Sequence, residues 1–285
     1  MIPQIQFLKP KKCPFKLIRV GGINDGGYLI PDDLKGIGAC FSPGVSNTKD
    51  FEDELAFKYM IKSHMCDFSS DISKFKTKLI KNFQTFEKKW LDINEDKNSI
   101  KLEDWVKKYS PNYNEDLILQ MDIEGAEYRN ILDTKMTLMN RFRIIVLELH
   151  DVLDIFSESK CQNIKLLLDK INQTHLCIHA HPNNCDREKI YQYNGMNIPN
   201  VIELSYLRKD RFRNNAKLLE VDLPNHLDIR PNVISRKPIH LNIHWMSSKK
   251  RSIRSYLKII KDFIPYLLHH FKKNIKSFIS FFFKF

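Results

Sequence analysis

The sequence predicts an α/β protein built on a seven-stranded, mostly parallel, doubly wound sheet. Three observations carry this expectation. Seven short runs are either continuously apolar or alternate with period 2. Helical patterns lie between most of them, which implies parallel strands covered on both faces. The chain has 285 residues, 42% of them hydrophobic, enough for one large α/β domain or for a domain plus an appendage.

The first strand is expected over Gly36–Ser42 (GIGACFS). It runs into SPGVSNT, where Gly44 permits close backbone approach and Ser46, Asn47 and Thr48 offer polar groups. A helical pattern, FEDELAFKYMI, follows. The second strand, Ser63–Phe68 (SHMCDF), contains Asp67 near its end. That acid lies about twenty residues beyond Gly44, where a doubly wound nucleotide site places its ribose-binding carboxylate. There is no GxGxxG, and Asp67 is equally well placed to cap FSSDISKF. The third strand is expected over Gln84–Asp92, followed by the helical pattern SIKLEDWVKKY.

The fourth strand, Asp116–Asp122 (DLILQMD), drives an apolar run directly into acids: Asp122, Glu124 and Glu127 surround Gly125. One carboxylate could cap the next helix, AEYRNILDTKMTLMNRF. Three exceed what capping needs, and strand carboxyl ends are where such sheets bind ligands. The fifth strand, Arg143–Leu149 (RIIVLEL), brings Glu148 and then His150 to the same edge, and CQNIKLLLDKINQ follows as a helix. The sixth strand, His175–His181 (HLCIHAH), ends near His179, His181, Asn183 and Asn184. Val201–Leu207 (VIELSYL) is the seventh.

Composition narrows the setting. Six Cys form no CxxC pair, so neither a zinc nor a disulfide framework is expected. MIPQIQFLKPKKCPF has no long apolar segment, and the expectation is a reducing, cytoplasmic location. Of the net charge of +12, residues 246–285 carry ten Lys or Arg against one acid, a net +9. The remaining body is near neutral at +3, which disfavours nucleic acid as a partner. Two units follow: residues 1–245 as the α/β domain and 246–285 as a basic, aromatic tail. The tail has no ~20-residue apolar stretch, so it is not expected to span a bilayer. Lys mixed with bulky apolar residues at helical spacing fits an amphipathic helix on an anionic membrane surface, with a packed terminal helix as the plainer alternative. Pro265 is expected to kink or divide it.

These segments resemble a known family. LQMDIEGAEYRNIL is similar to the hallmark segment of FkbM-type methyltransferases, a Rossmann-like branch of the class I S-adenosylmethionine (SAM)-dependent enzymes. RVGGINDGGYLIP resembles the GGxxDGGY opening of a related subgroup, and GVSNTKDFEDELA its SAM loop. IPNVIELSYLRKD and LPNHLDIRPN resemble its closing strand and following loop. The likeness runs in order through residues 17–232. It departs at strand one, where SPGVSNT stands in place of DxGAxxG, so the acid expected near the methionine amino group is missing.

The resemblance implies SAM as methyl donor and a seventh strand antiparallel to the rest. The cofactor-binding candidates are Gly44, Ser46, Asn47, Asp67, Asp122 and Glu124. Methyl transfer to a hydroxyl needs alignment and a base, for which Asp122, His150 and His181 are the candidates. Either histidine is equally explained by a structural hydrogen bond. Asp25, Glu148 and Asn183 are the substrate-binding candidates, Asp25 reaching over the site from NDGGY. A divalent metal held by Asp122, Glu148 and His181 stays open, since no element carries tight ligand spacing. The expected acceptor is a glycan or small molecule of envelope polysaccharide synthesis, at the inner face of a membrane. An RNA methyltransferase using the tail, or an inactive adaptor of the same fold, are the alternatives.

Overall fold

A computed structural model describes residues 2–186, 189–212, 221–246 and 250–282, the side chains of 274 and 276–282 excepted. A hairpin of β1 (Leu17–Gly21) and β2 (Gly27–Pro31) opens the fold. β3 (Ile37–Pro43), α1 (Asp50–Tyr59), β4 (Lys62–Cys66) and β5 (Gln84–Glu87) follow. β6 (Trp90–Leu91) and β7 (Ser99–Ile100) form a small ladder before α2 (Leu102–Tyr109). Next come β8 (Asp116–Met121), α3 (Glu127–Asp133), α4 (Met136–Met139), β9 (Phe142–Leu149) and α5 (Cys161–Thr174). β10 (His175–Pro182), a hairpin of β11 (Ile190–Tyr193) and β12 (Met196–Pro199), β13 (Ile202–Arg208) and α6 (Ile253–Phe282) complete it.

The main sheet has seven strands in the order β10-β13-β9-β8-β3-β4-β5. β5, β4, β3, β8 and β9 pair in parallel, and β13 is antiparallel to both β9 and β10. The seven expected strands are these seven. Alternation divides their side chains between two cores. Leu117, Leu119 and Met121 of β8 join Trp105 of α2 and Leu167, Leu168 and Ile171 of α5 on one face. Ile118, with Ile144 and Val146 of β9, meets Phe51 and Leu55 of α1 and Tyr28 and Ile30 of the opening hairpin on the other. α5 buries Ile164, Leu167, Leu168 and Ile171, the i, i+3, i+4, i+7 stripe that makes a helix cover a sheet.

Several expectations are corrected. The third strand ends at Glu87; a turn closed by Lys89 N–H on Glu87 O sends Trp90 and Leu91 to pair with Ser99 and Ile100 instead. The helical pattern at 126–142 breaks into α3 and α4 at Thr134, whose hydroxyl turns back onto Asn130 O. The hairpins β1–β2 and β11–β12 were not expected as strands at all. β1–β2 stands where one face would take a helix, and Ser205 of β13 bonds Leu29 O across it at 2.6 Å.

α6 continues through Pro265 without being divided, since one missing N–H removes only one bond of a long helix. Its inner side is polar: Ser255, Lys258 and Asp262 are buried. Ser255 donates to Leu223 O at 2.8 Å, and Asp262 pairs with Lys258 and with His240 at 2.8 Å. Ile253, Tyr256, Leu257, Ile260, Ile264, Leu267, Leu268 and Phe271 are exposed. The aromatic FISFFFKF ending and Lys249, Lys276 and Lys284 fall outside the described side chains. Among the described residues, no helix is long and apolar enough to cross a membrane.

Candidate functional site

The carboxyl ends of β3, β8 and β9 and the opening hairpin converge. Gly44 follows β3 at φ +81°, and a Cβ there would stand 1.6 Å from Asp122 O. Only glycine lets the β3 loop lie against the end of β8. After β8, Glu124 and Gly125 are both left-handed, at φ 54° and 94°. Neither Asp122 nor Glu124 caps α3, whose N-cap residue is Ala126. The turn is closed by buried Glu127, which accepts from Ile123 N–H at 2.8 Å. Asp122 and Glu124 are thereby left to face outward from the turn.

His150 sits among these acids. Its Nε2 lies 3.4 Å from Glu124, 3.7 Å from Glu148 and 3.9 Å from Asp122, and its Nδ1 lies 3.3 Å from Glu127 without a well-directed hydrogen bond. Burial alone would lower the imidazole's pKa, but Glu127, Asp122 and Glu124 outweigh it and raise the value above its ordinary range. Burial, reinforced by Asp25, Glu127 and Glu124 against the opposing pull of His150, raises the Asp122 carboxyl. Glu148 is raised too, well above the usual carboxylate range, by burial first and then by Asp122, Glu203 and Asp25. Both the Asp122 carboxyl and the His150 imidazole are therefore pushed toward holding a proton near neutrality.

Two adjoining cavities share Asp25 and Asp122. The larger, about 340 Å³, is lined by Glu124, Glu148, His150, Asn183 and Asn200 among others. The smaller, about 140 Å³, lies under the hairpin between Tyr28, Gly44, Ser46, Glu52 and Gln120. Arg19 shapes the hairpin loop by donating to Gly22 O at 2.8 Å and Asn24 O at 2.9 Å, which holds Asp25 over both cavities. A further cavity of about 370 Å³, lined by Glu103, Lys135 and Arg141, lies at the amino ends of β8 and β9 and is separate from this site.

The structure thus brings together Asp25, Gly44, Ser46, Asp122, Glu124, Glu148, His150 and Asn183. Asn183 donates to Glu148 Oε1 at 2.7 Å. Asn47 accepts from Asp71 N–H at 3.2 Å and so joins the loops after β3 and β4. Asp67 is buried and joins the same loops: it accepts from Ser46 N–H at 2.8 Å, and from the N–H groups of Ser69 and Ser70. Capping FSSDISKF is not its role, because Asp71 caps the short 3-10 turn there. His181 lines neither cavity, although on β10 it is the cross-strand partner of Glu203. With His179 it faces Asp228, at 3.7 and 3.1 Å, in a pocket closed by His240 and Asp262 of α6. Among the described residues, the clusters whose donor atoms converge are Asp122–Glu127–His150 and Asp25–Glu148–Glu203; the expected trio of Asp122, Glu148 and His181 is neither.

Glu52, Tyr28, Gln120 and Glu203 line or adjoin the site without having been singled out. Glu52 is wholly buried on α1, and burial lifts its carboxyl to about 7 against the hydrogen bond from Ser42. Glu203 carried a readable signal: a charge in an apolar strand, at the amino end of an antiparallel strand, falls beside the carboxyl ends of its neighbours. No protein-family model matches the chain, and no characterised protein matches it in sequence.

Proposed function

We propose that the protein is a SAM-dependent methyltransferase that methylates a hydroxyl of a glycan or small molecule at a membrane surface. The observation that carries this reading is the strand order. Numbered along the chain, the sheet reads 3-2-1-4-5-7-6, seven strands with the seventh antiparallel, as the resemblance to class I methyltransferases implies. The resemblance through residues 17–232 points the same way, and the cavities open at strands one and four, where that fold holds its donor.

SAM, when bound, supplies a sulfonium methyl open to in-line attack. The cavity under the hairpin, with the Gly44–Ser46 loop, is its place. At about 140 Å³ it falls below the ~300 Å³ usual for a ligand of this size, and the larger cavity that shares Asp25 and Asp122 adjoins it. The acceptor takes the larger cavity. Asp122 stands between the two, and its raised carboxyl is suited to receive the hydroxyl proton while His150 holds the surrounding negative charge. His181, engaged with Asp228, is the weaker candidate for the base.

Calorimetric titration of SAM tests the reading. The intact chain binds, and Asp67→Ala weakens binding by ~1.5–3 kcal/mol, through the lost hydrogen bonds to a charged group and the loosened Ser46 loop. Unchanged affinity removes Asp67 from the site, and no binding by the intact chain ends the proposal. The membrane part rests on the apolar outer stripe of α6, flanked by Arg254, Lys261, Lys272 and Lys273.

A further inference from the structure

We propose that Asp25, Glu148 and Glu203 bind a hard divalent cation, of the Mg²⁺, Mn²⁺ or Ca²⁺ class, beside the larger cavity. One carboxylate oxygen from each lies within 4.8 Å of the others. Glu148 and Glu203 are direct cross-strand partners in the antiparallel β9–β13 ladder, and both are buried. Like charges facing each other across a ladder are destabilising, the more so out of water. Here a third carboxylate, Asp25, is brought down onto the pair by the hairpin loop.

The three are oriented as ligands are. Asn183 fixes Glu148 Oε1 at 2.7 Å, and Asn232 donates both to Glu203 Oε1 and, at 3.3 Å, to Asp25 Oδ1. Glu148 Oε2 remains: it is buried, its residue lines the cavity, and no hydrogen bond reaches it among the described residues. A buried carboxylate oxygen without a partner is costly, and a cation is the partner this donor set suits. All ligands are oxygens, which selects a hard ion, and oxygens within 4.8 Å of one another are close enough to share one.

The neighbouring Asp122–Glu127–His150 group does not compete. It contains its own cation-forming group, since His150 lies within 4 Å of Asp122, Glu124 and Glu127. His150 touches the proposed site only at Glu148 Oε1, at 3.7 Å. Arg19 spends its guanidinium on the Gly22 and Asn24 carbonyls. His181, the cross-strand partner of Glu203 on β10, and Arg19 both pull the Glu203 carboxyl down against burial, from beyond ion-pair distance. Because Asp25 is exposed, the ion keeps an open side toward the cavity. There it orients acceptor oxygens, a role that rests on the methyl-transfer reading; the binding itself does not.

The test is Mn²⁺ binding to the intact chain, followed by electron paramagnetic resonance of the free ion and by thermal unfolding with Mn²⁺ or with chelator. One site is expected, with Mn²⁺ raising the unfolding temperature. Glu148→Gln and Glu203→Gln each weaken Mn²⁺ at least tenfold. In chelator both unfold above the unsubstituted chain, because one of two facing charges is gone. Asp25→Asn, on the exposed loop, weakens binding without touching the strands, and covers the case of a Glu variant that does not fold. Absence of Mn²⁺ binding by the intact chain overturns the proposal. So does binding lost in Asp122→Asn but unchanged in Glu203→Gln, which puts the ion at His150. SAM titrated into the same samples separates the two readings: SAM without Mn²⁺ ends only the cation site, and Mn²⁺ without SAM only the methyl-transfer reading.

Discussion

Asp122 is held by backbone rather than by side-chain partners: Gly44 presses beneath its carbonyl and the Glu124–Gly125 turn carries the chain away. Asp122→Asn therefore keeps the fold. With an acceptor in hand, it lowers the methyl-transfer rate about 100-fold or more, the usual contribution of a positioned base. A fully active variant reduces the acid to a turn residue. His175 gives a second residue-scale prediction, of stability. It is buried at the start of β10, bonded to Phe142 O and Thr174 Oγ1, and burial lowers its pKa from 6.5 to about 4. The unfolded chain binds this proton first, so the folded state loses stability as pH falls from about 6.5 to about 4, by roughly 3 kcal/mol from this group. Urea unfolding at both ends of that range measures it. His175→Gln flattens that part of the profile, and an unchanged slope refutes the assignment.

The element on which the site most depends is the β1–β2 hairpin. A Cβ on Gly27 would lie 1.9 Å from Gly22 O, so the loop bearing Asp25 closes only over glycine. Gly27→Ala should cost about 1–3 kcal/mol in urea unfolding, as forced close contacts do, and should weaken SAM binding in parallel. Lost stability with unchanged SAM affinity would make the hairpin a cover for the Ile118–Val146 face and nothing more.

Over the whole molecule, the boundary at 245/246 divides charge but not packing. Ser255, Lys258 and Asp262 of α6 are buried against the body, and Asp262 holds His240. A chain ending near Ser248 therefore leaves a polar cleft open, and destabilisation is expected where charge alone suggested independence. A chain ending at Tyr266 keeps those contacts and removes Leu267, Leu268, Phe271, Lys272 and Lys273. It should stay folded, bind SAM and lose affinity for anionic vesicles, each removed Lys being worth about 1 kcal/mol. Binding of the full chain should fall as salt rises. Equal co-sedimentation of the shortened and full chains with vesicles would show that this face serves something other than a lipid surface.

The sequence by itself determined the seven strands, α1 and α5, and the meeting of Gly44, Asp122, Glu148 and His150 at one edge. Those depend on local periodicity and on strand ends, which short stretches of chain encode. It did not determine the hairpin pairings, because β1, β2, β11 and β12 are short and gain their order from what they cover. Nor did it determine where His179 and His181 point. Alternation put both on one face, but their partner, Asp228, comes from a loop nearly fifty residues away. Glu203 faced Glu148 only once β13 was inserted antiparallel between β9 and β10. Contacts of that range are set by topology, and a carboxylate's neighbours decide its charge and its ligands.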